Sequence, residues 1–370
     1  MKRLTYISNF SRSLTRKEIE NIENISQVNN AKEGITGILL SCNRTFFQIL
    51  EGDDDRVDHL YEKILKDDRH QQVVCIRLDR NITEKYFPNW SMKVIMLEDN
   101  TDTLLQPIKI LLQALGESKA VLANYTHSGV LQAMENGINP LTLIPRYTEK
   151  IILFADVMGF ASITEKLQVT EVVELLNQFF TVCTSEIVAK GGEVTKFIGD
   201  CVMAYFDGDR ADDALQASLN ILSELEVLRA RAPVNSPLRI LYIGIGLSKG
   251  TVLEGNIGSQ TKKEYTVIGD AVNVASRIES LTRQLNRFLV FSEAVRDGLS
   301  DHWKILKMGD FYAKGREAIV EVYSIDDPLA SQKSDFHSLK QEIKDQLELI
   351  GNQTIEPCKQ RKTLFMLYDP

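Results

Sequence analysis

Two aspartates in this chain end apolar strands. Asp156 closes the run in Phe154-Ala-Asp-Val-Met-Gly-Phe160, and Asp200 stands at a hairpin tip in Lys196-Phe-Ile-Gly-Asp200. A charge at the end of an apolar strand is costly unless it is solvated, paired or metal-bound, so the pair reads as a candidate metal site. Taken singly, each is also an ordinary turn aspartate. Asn273 and Arg277 lie four apart in a helical segment and therefore share a face; alone, Arg277 reads as an exposed arginine paired with Glu279 or with solvent. Lys314 precedes a glycine in Ala-Lys-Gly-Arg316, a motif too short to carry weight by itself. Near the N-terminus Gln48 alternates with Phe47 and Ile49. That alternation turns one amide into a largely hydrophobic interior, where it needs partners. Tyr6, Asn30, Trp90 and Met92 read, one at a time, as a strand aromatic, a helix C-cap and two residues sharing a strand face.

At 370 residues the chain exceeds the size at which one core keeps growing, which predicts two domains. Apolar residues at 44% and charged residues at 25% suit a folded soluble protein. A net charge of −8, with Lys and Arg scattered among more carboxylates, argues against a nucleic-acid partner and leaves a small triphosphate compatible. The five cysteines are widely spaced and lack a Cys-x-x-Cys pattern, so they read as reduced. No signal peptide is apparent and no run approaches the roughly 18 apolar residues of a membrane helix. These features predict a cytoplasmic protein with no membrane partner.

The elements that must position these residues follow from periodicity. From Lys2 to Met96 the order is strand, helix, strand, strand, helix, strand, strand, a ferredoxin-like α+β sandwich. Thr15 to Glu18 is a capping box before a helix whose Ile19, Ile22 and Ile25 recur at threefold spacing, and Asn43-Arg44 is a tight turn. Leu104, Leu105, Ile108, Leu111, Leu112 and Leu115 form an apolar helical stripe ending near Gly116. That connector either packs on the first domain or pairs with a second copy. A second series predicts a strand at 151–157, helices at 169–189 and 212–231, a hairpin turning at Gly199-Asp200, a strand at 238–247 and a helix at 270–282. After about Ile325, 45 residues read as a polar tail with no function of their own.

Three segments taken together, Phe154 to Phe160, Gly191 to Asp200 and Tyr265 to Arg277, resemble in order and spacing the signatures of class III nucleotidyl cyclases. The resemblance implies a second ferredoxin-like α/β sandwich that dimerises head to tail. It makes Asp156 and Asp200, with the carbonyl of Val157, ligands of two Mg²⁺ or Mn²⁺ ions per active site. It also makes Asn273 and Arg277 the pair that orients the ribose and stabilises the reacting phosphate, with Lys314 a further phosphate contact. Lys196 and Thr266 would face the purine; a lysine donor and a threonine oxygen suit adenine, whereas guanine calls for an acceptor at the lysine position. Many adenylyl members carry aspartate where this chain has Thr266. The expected substrate is ATP, in a homodimer with two active sites.

Residues 1–96 resemble the blue-light-using-flavin (BLUF) family through Tyr6, Asn30, Gln48 in Thr45 to Gly52, and Trp90 and Met92 in Phe87 to Met92. That resemblance implies a flavin, FMN or FAD, with Gln48 between the flavin and Tyr6, Asn30 at the pyrimidine edge, and either Trp90 or Met92 beside Gln48. The expected organisation is a sensor at 1–98, a helical connector at 99–148, a catalytic domain at 149–326 and a tail at 327–370. The expected function is a blue-light-activated adenylate cyclase; a light-regulated guanylyl cyclase and a catalytically silent light-dependent binding module are the alternatives. A diguanylate cyclase fails because Val194 and Thr195 follow Gly191-Gly192-Glu193.

Overall fold

A computed structural model describes residues 1–12, 14–98, 102–259, 261–312, 319–331 and 335–351. Contacts divide the chain into two units between Ile144 and Pro145.

The first unit runs β1 (Lys2–Phe10), α1 (Arg16–Glu33), β2 (Thr36–Cys42), β3 (Thr45–Gly52), α2 (Asp54–Leu65), β4 (His70–Asp79) and β5 (Lys93–Met96), then α3 (Gln106–Tyr125) and α4 (Ser128–Glu135). Thr15 and Glu18 cap α1 reciprocally, and Asn43 and Arg44 both take positive φ, as a two-residue turn of this hand requires. The sheet order is β4-β1-β3-β2-β5. Its first four strands have the ferredoxin-like order, and Leu4, Tyr6, Phe46 and Leu50 pack on Ile19 of α1 and Val57 of α2. Ile25 is exposed instead: six residues turn a helix by about 240°, so a threefold repeat drifts off the buried face.

The apolar stripe does not end at Gly116, since α3 continues to Tyr125. Gly116 faces Thr45 so closely that a Cβ would sit 3.1 Å from its Oγ1, so this glycine serves close packing. Leu112 packs against Cys42 and Leu97, so the helix does rest on the first unit, while Leu104, Ile108 and Leu111 of the same stripe stay exposed.

The second unit runs β6 (Arg146–Val157), α5 (Phe160–Lys166), α6 (Val169–Ala189), β7 (Glu193–Ile198), β8 (Cys201–Asp207), α7 (Ala211–Arg231), β9 (Ile243–Gly258) and β10 (Lys263–Ile268). It continues with α8 (Asp270–Leu285), β11 (Leu289–Ser292), α9 (Glu293–Arg296), β12 (Ile305–Tyr312), β13 (Ile319–Ile325) and α10 (Phe336–Gly351). The sheet order is β12-β13-β11-β9-β6-β8-β7, with β10 paired to β9. Its β9-β6-β8-β7 portion repeats the strand order β4-β1-β3-β2 of the first unit, so the chain is an α+β protein with two ferredoxin-like sandwiches. One face of β6 packs Ile151, Leu153 and Ala155 with Leu175, Phe179 and Cys183 of α6; the other packs Ile152 and Phe154 with Ala271 and Ala275 of α8.

Three expectations change here. The strand expected from Leu238 begins at Ile243, because Pro237–Ile240 forms a 3₁₀ turn. The supposed tail holds α10, whose Leu339, Ile343, Leu347 and Ile350 are buried in the main core. One helix, α6, is long and apolar enough by length and composition to cross a membrane, contrary to the sequence reading. Its stripe of Leu175, Phe179, Cys183 and Ile187 is taken up by the core instead.

Candidate active site

Asp156 lies near the end of β6, opposite Cys201 of β8 and Gly244 of β9. The β7–β8 hairpin closes Ile198 against Cys201, with Gly199 at φ 64°, so Asp200 directly precedes the residue that faces Asp156. The two carboxyls lie near enough for each to shift the other's proton affinity. Burial, and then the charge of Asp156, push Asp200 up to about 6. Burial raises Asp156 as well, against the pull of Arg283, whose Nη2 donates to Asp156 Oδ2 at 2.6 Å. The other Arg283 nitrogen, Nη1, donates to Glu279 Oε1 at 2.7 Å, and burial lifts Glu279 to about 8. Three carboxyls thus crowd one guanidinium. Asp156 and Asp200 are hard oxygen donors, a pair that suits Mg²⁺ or Mn²⁺. Val157, next along β6, has its side chain in the core and only its backbone to offer.

The partner suggested for Arg277 is corrected. Glu279 is four residues before Arg283 and two after Arg277, so it shares a face with the former. Asn273 and Arg277 are both exposed and make no hydrogen bond or ion pair to a described residue. The opposite face of α8 holds them in place: at Gly246 of β9 a Cβ would fall 2.3 Å from the backbone nitrogen of Glu279, so helix and strand touch directly. Lys196 Nζ meets Glu264 Oε1 at 2.6 Å, and Glu264 lies two residues from the buried Thr266 on β10. The ion pair therefore brings the two base-reading candidates to one strand face. Lys314 lies outside the described residues. Glu264 and Arg283 were missed by the sequence reading; the spacing of Glu279 and Arg283 was the available signal for the second.

In the first unit Tyr6, on β1, and Gln48, opposite it on β3, are 0% and 6% exposed. The Tyr6 hydroxyl donates to Gln48 Oε1, and Gln48 Nε2 lies 3.4 Å from Met92 Sδ. Burial holds the Tyr6 hydroxyl well above its ordinary pKa. Trp90 and Met92 do not share a strand face, because β5 begins only at Lys93. Trp90 is exposed and stacks on Phe87, while Met92 is buried beside Gln48. Asn30 is buried within α1, four residues before the cap at Gly34, and donates to the Ser91 carbonyl at 2.9 Å. Gln27, one turn earlier, holds the Met92 carbonyl at 2.9 Å and was not anticipated. On the Leu39 face of β2 the Ser41 hydroxyl is buried without a partner. Two buried amides and an orphaned hydroxyl form a donor set that fits a flavin, whose carbonyls and ring nitrogens accept hydrogen bonds.

Residues 1–93 match the family of sensors of blue-light using FAD, and residues 144–327 match the adenylate and guanylate cyclase catalytic domain. Photoactivated adenylate cyclase subunit beta of Euglena gracilis is 35% identical over 302 residues, covering 80% of this chain and 34% of that protein. The alpha subunit from the same organism is 35% identical over 298 residues, covering 80% of this chain and 29% of that protein. The chain spans about a third of the length of these curated relatives. A solved bacterial light-regulated adenylyl cyclase is 46% identical, with a TM-score of 0.86 over 94% of this chain and 99% of that one. A flavin-sensor fold followed by a class III cyclase fold, matched over nearly its whole length by one such structure, makes this chain a member of the BLUF-domain light-regulated adenylyl cyclase family.

Proposed function

We propose that the chain converts ATP to 3′,5′-cyclic AMP and pyrophosphate under blue-light control. The observation that carries the enzymatic part is the meeting of the Asp156 and Asp200 carboxyls at the end of β6. In the reaction the ribose 3′-oxygen bonds to the α-phosphorus while the bond to the pyrophosphate oxygen breaks. Asp156, Asp200 and the Val157 carbonyl hold two divalent ions. Bound there, such ions acidify the 3′-hydroxyl and neutralise the triphosphate. Lys196 donates to adenine N1, the Thr266 oxygen accepts from N6, and neither pattern suits guanine. Asn273 orients the ribose, Arg277 sets its fork of donors against the phosphate as charge builds, and Lys314 adds a phosphate contact.

The exposed, unpaired state of Asn273 and Arg277 supports a homodimer in which each copy completes the site of the other. Phe197, Ile198 and Ile268 are exposed on β7 and β10, and such apolar residues suit burial against a second copy. The exposed Leu104, Ile108 and Leu111 of the connector suit the same arrangement. We assign 1–98 to the sensor, 99–148 to the connector, 149–326 to the catalytic domain and 327–370 to the tail, with α10 of that tail packed as part of the catalytic unit. A cytoplasmic location suits the supply of ATP and the free thiols of Cys42, Cys75, Cys183 and Cys201.

In the sensor, Tyr6, Gln48 and Asn30 hold the flavin, FAD rather than FMN on the description of the matched family. When bound it supplies blue-light absorption and an electron acceptor close to Tyr6. Gln48 is the element that stores the signal. Its oxygen now faces Tyr6 and its nitrogen faces Met92, and reversing the amide exchanges those roles. Rearranging one such bond is worth on the order of 1 kcal/mol, so the connector and dimer must amplify it.

The test is a purified Asp200→Asn variant assayed with Mg²⁺ in light and dark beside the parent protein. It should dimerise and stay yellow, yet form almost no cyclic nucleotide. Full activity would refute the metal assignment, and cyclic GMP as the main product of the parent would refute the base assignment.

A further inference from the structure

The sheet of the first unit has a second face, opposite α1 and α2, and between it and the helices α3 and α4 lies a cavity of about 210 Å³. It belongs to neither site described above. Its walls are chiefly apolar, from Ile7, Val74, Leu115 and Met134, and it exceeds the ~150 Å³ of apolar cavities that take up benzene. Lys119 of α3 reaches into it while only 5% exposed, and its ammonium has no hydrogen-bond partner. Glu135 of α4 lines the same cavity and attracts Lys119 without meeting it in a hydrogen bond. An ammonium withdrawn from water and left without a partner is costly, and such a group calls for a ligand atom.

One cation and one anion across an apolar cavity select the chemistry of the guest. A carboxylate would satisfy Lys119 but face Glu135, and an amine the reverse. A hydroxyl accepts from Lys119 and donates to Glu135, while an apolar body fills the rest. We propose that this cavity binds a small neutral hydroxyl-bearing amphiphile of the phenol or short-alkanol class, its hydroxyl bridging Lys119 and Glu135.

The test is isothermal titration of the full chain in the dark with p-cresol and with toluene, the same body without the hydroxyl. The expected result is saturable binding, with p-cresol preferred over toluene by about tenfold or more, as a hydrogen bond to a charged group predicts. Lys119→Met removes a buried unpaired charge and should fold at least as well as the parent. In it, and in the shape-preserving Glu135→Gln, the preference for p-cresol should shrink toward parity. No saturable binding of p-cresol by the parent would overturn the proposal. So would a preference that survives Lys119→Met, or tighter binding of hexanoate or hexylamine than of p-cresol.

Discussion

Lys196 Nζ pairs with Glu264 Oε1 at 2.6 Å, so adenine must compete for that ammonium or share it. The pair is partly exposed, and such pairs contribute up to about 1 kcal/mol, or roughly fivefold in an equilibrium. Glu264→Gln should therefore lower KM for ATP by up to about fivefold and leave kcat nearly unchanged. Initial rates over a range of ATP would read this, and an unchanged KM would mean that the pair opens at no cost. In the sensor, Gln48→Leu keeps the bulk of the side chain and removes both of its hydrogen bonds. That variant should bind flavin and lose the small red shift under blue light, which absorbance difference spectra detect; a retained shift would remove Gln48 from the signal. At this scale the reacting types were legible because an amide or carboxylate in an apolar strand is costly without a role. Glu264 was not, because its importance lies in a contact between strands far apart in sequence, as Lys196 and Glu264 are.

Elements were legible where the signal is local. The capping box at Thr15, the turn at Asn43-Arg44 and the hairpin at Gly199 are each set by residues within a few positions of one another. Trp90 and Met92 were misassigned because β5 is short and starts late, at Lys93, so period-two alternation did not yet apply to them. The helix α10 was missed among polar neighbours, although Leu339, Ile343, Leu347 and Ile350 recur at helical spacing. It has a consequence for the site: Ile343 lies beside Gly159, where an added Cβ would fall 3.6 Å from its Cδ1, in the turn that follows Asp156 and Val157 on β6. Ile343→Ala should cost about 2–5 kcal/mol of stability, the usual penalty of a buried Ile→Ala change. Cyclase activity should fall with it as the turn after Val157 loosens. Thermal unfolding and Mg²⁺ titration of rate check the two effects separately, and a variant with parent stability would show that α10 adds little to the core.

For the molecule as a whole, pH should act on the two units with opposite sign. In the first unit His70 is half-buried beside Phe46, its Nδ1 lies 2.7 Å from Ser8 Oγ, and that burial pushes it down to about 4. An unfolded histidine titrates near 6.5, so between those values the unfolded chain takes up a proton that the folded unit refuses. Stability of the first unit should fall as pH drops from about 6.5 to 4, by up to about 3 kcal/mol. In the second unit the sense reverses, because Asp200 at about 6 and Glu279 at about 8 are raised acids. Their contribution is complete below the ordinary carboxylate range and is lost as pH rises through 6 and 8. Without divalent metal, amide exchange should therefore slow in β4 and quicken in α8 as pH is raised from 5 to 8, once the intrinsic pH dependence of exchange is removed. Mg²⁺ binds the ionised aspartates and should restore protection in α8 at the high-pH end while leaving β4 unchanged. Exchange mass spectrometry with Mg²⁺ and with a chelator reads both units in one experiment. If protection in α8 rose with pH in the chelated protein, the crowding of Asp156, Asp200 and Glu279 around Arg283 would not govern the stability of the site.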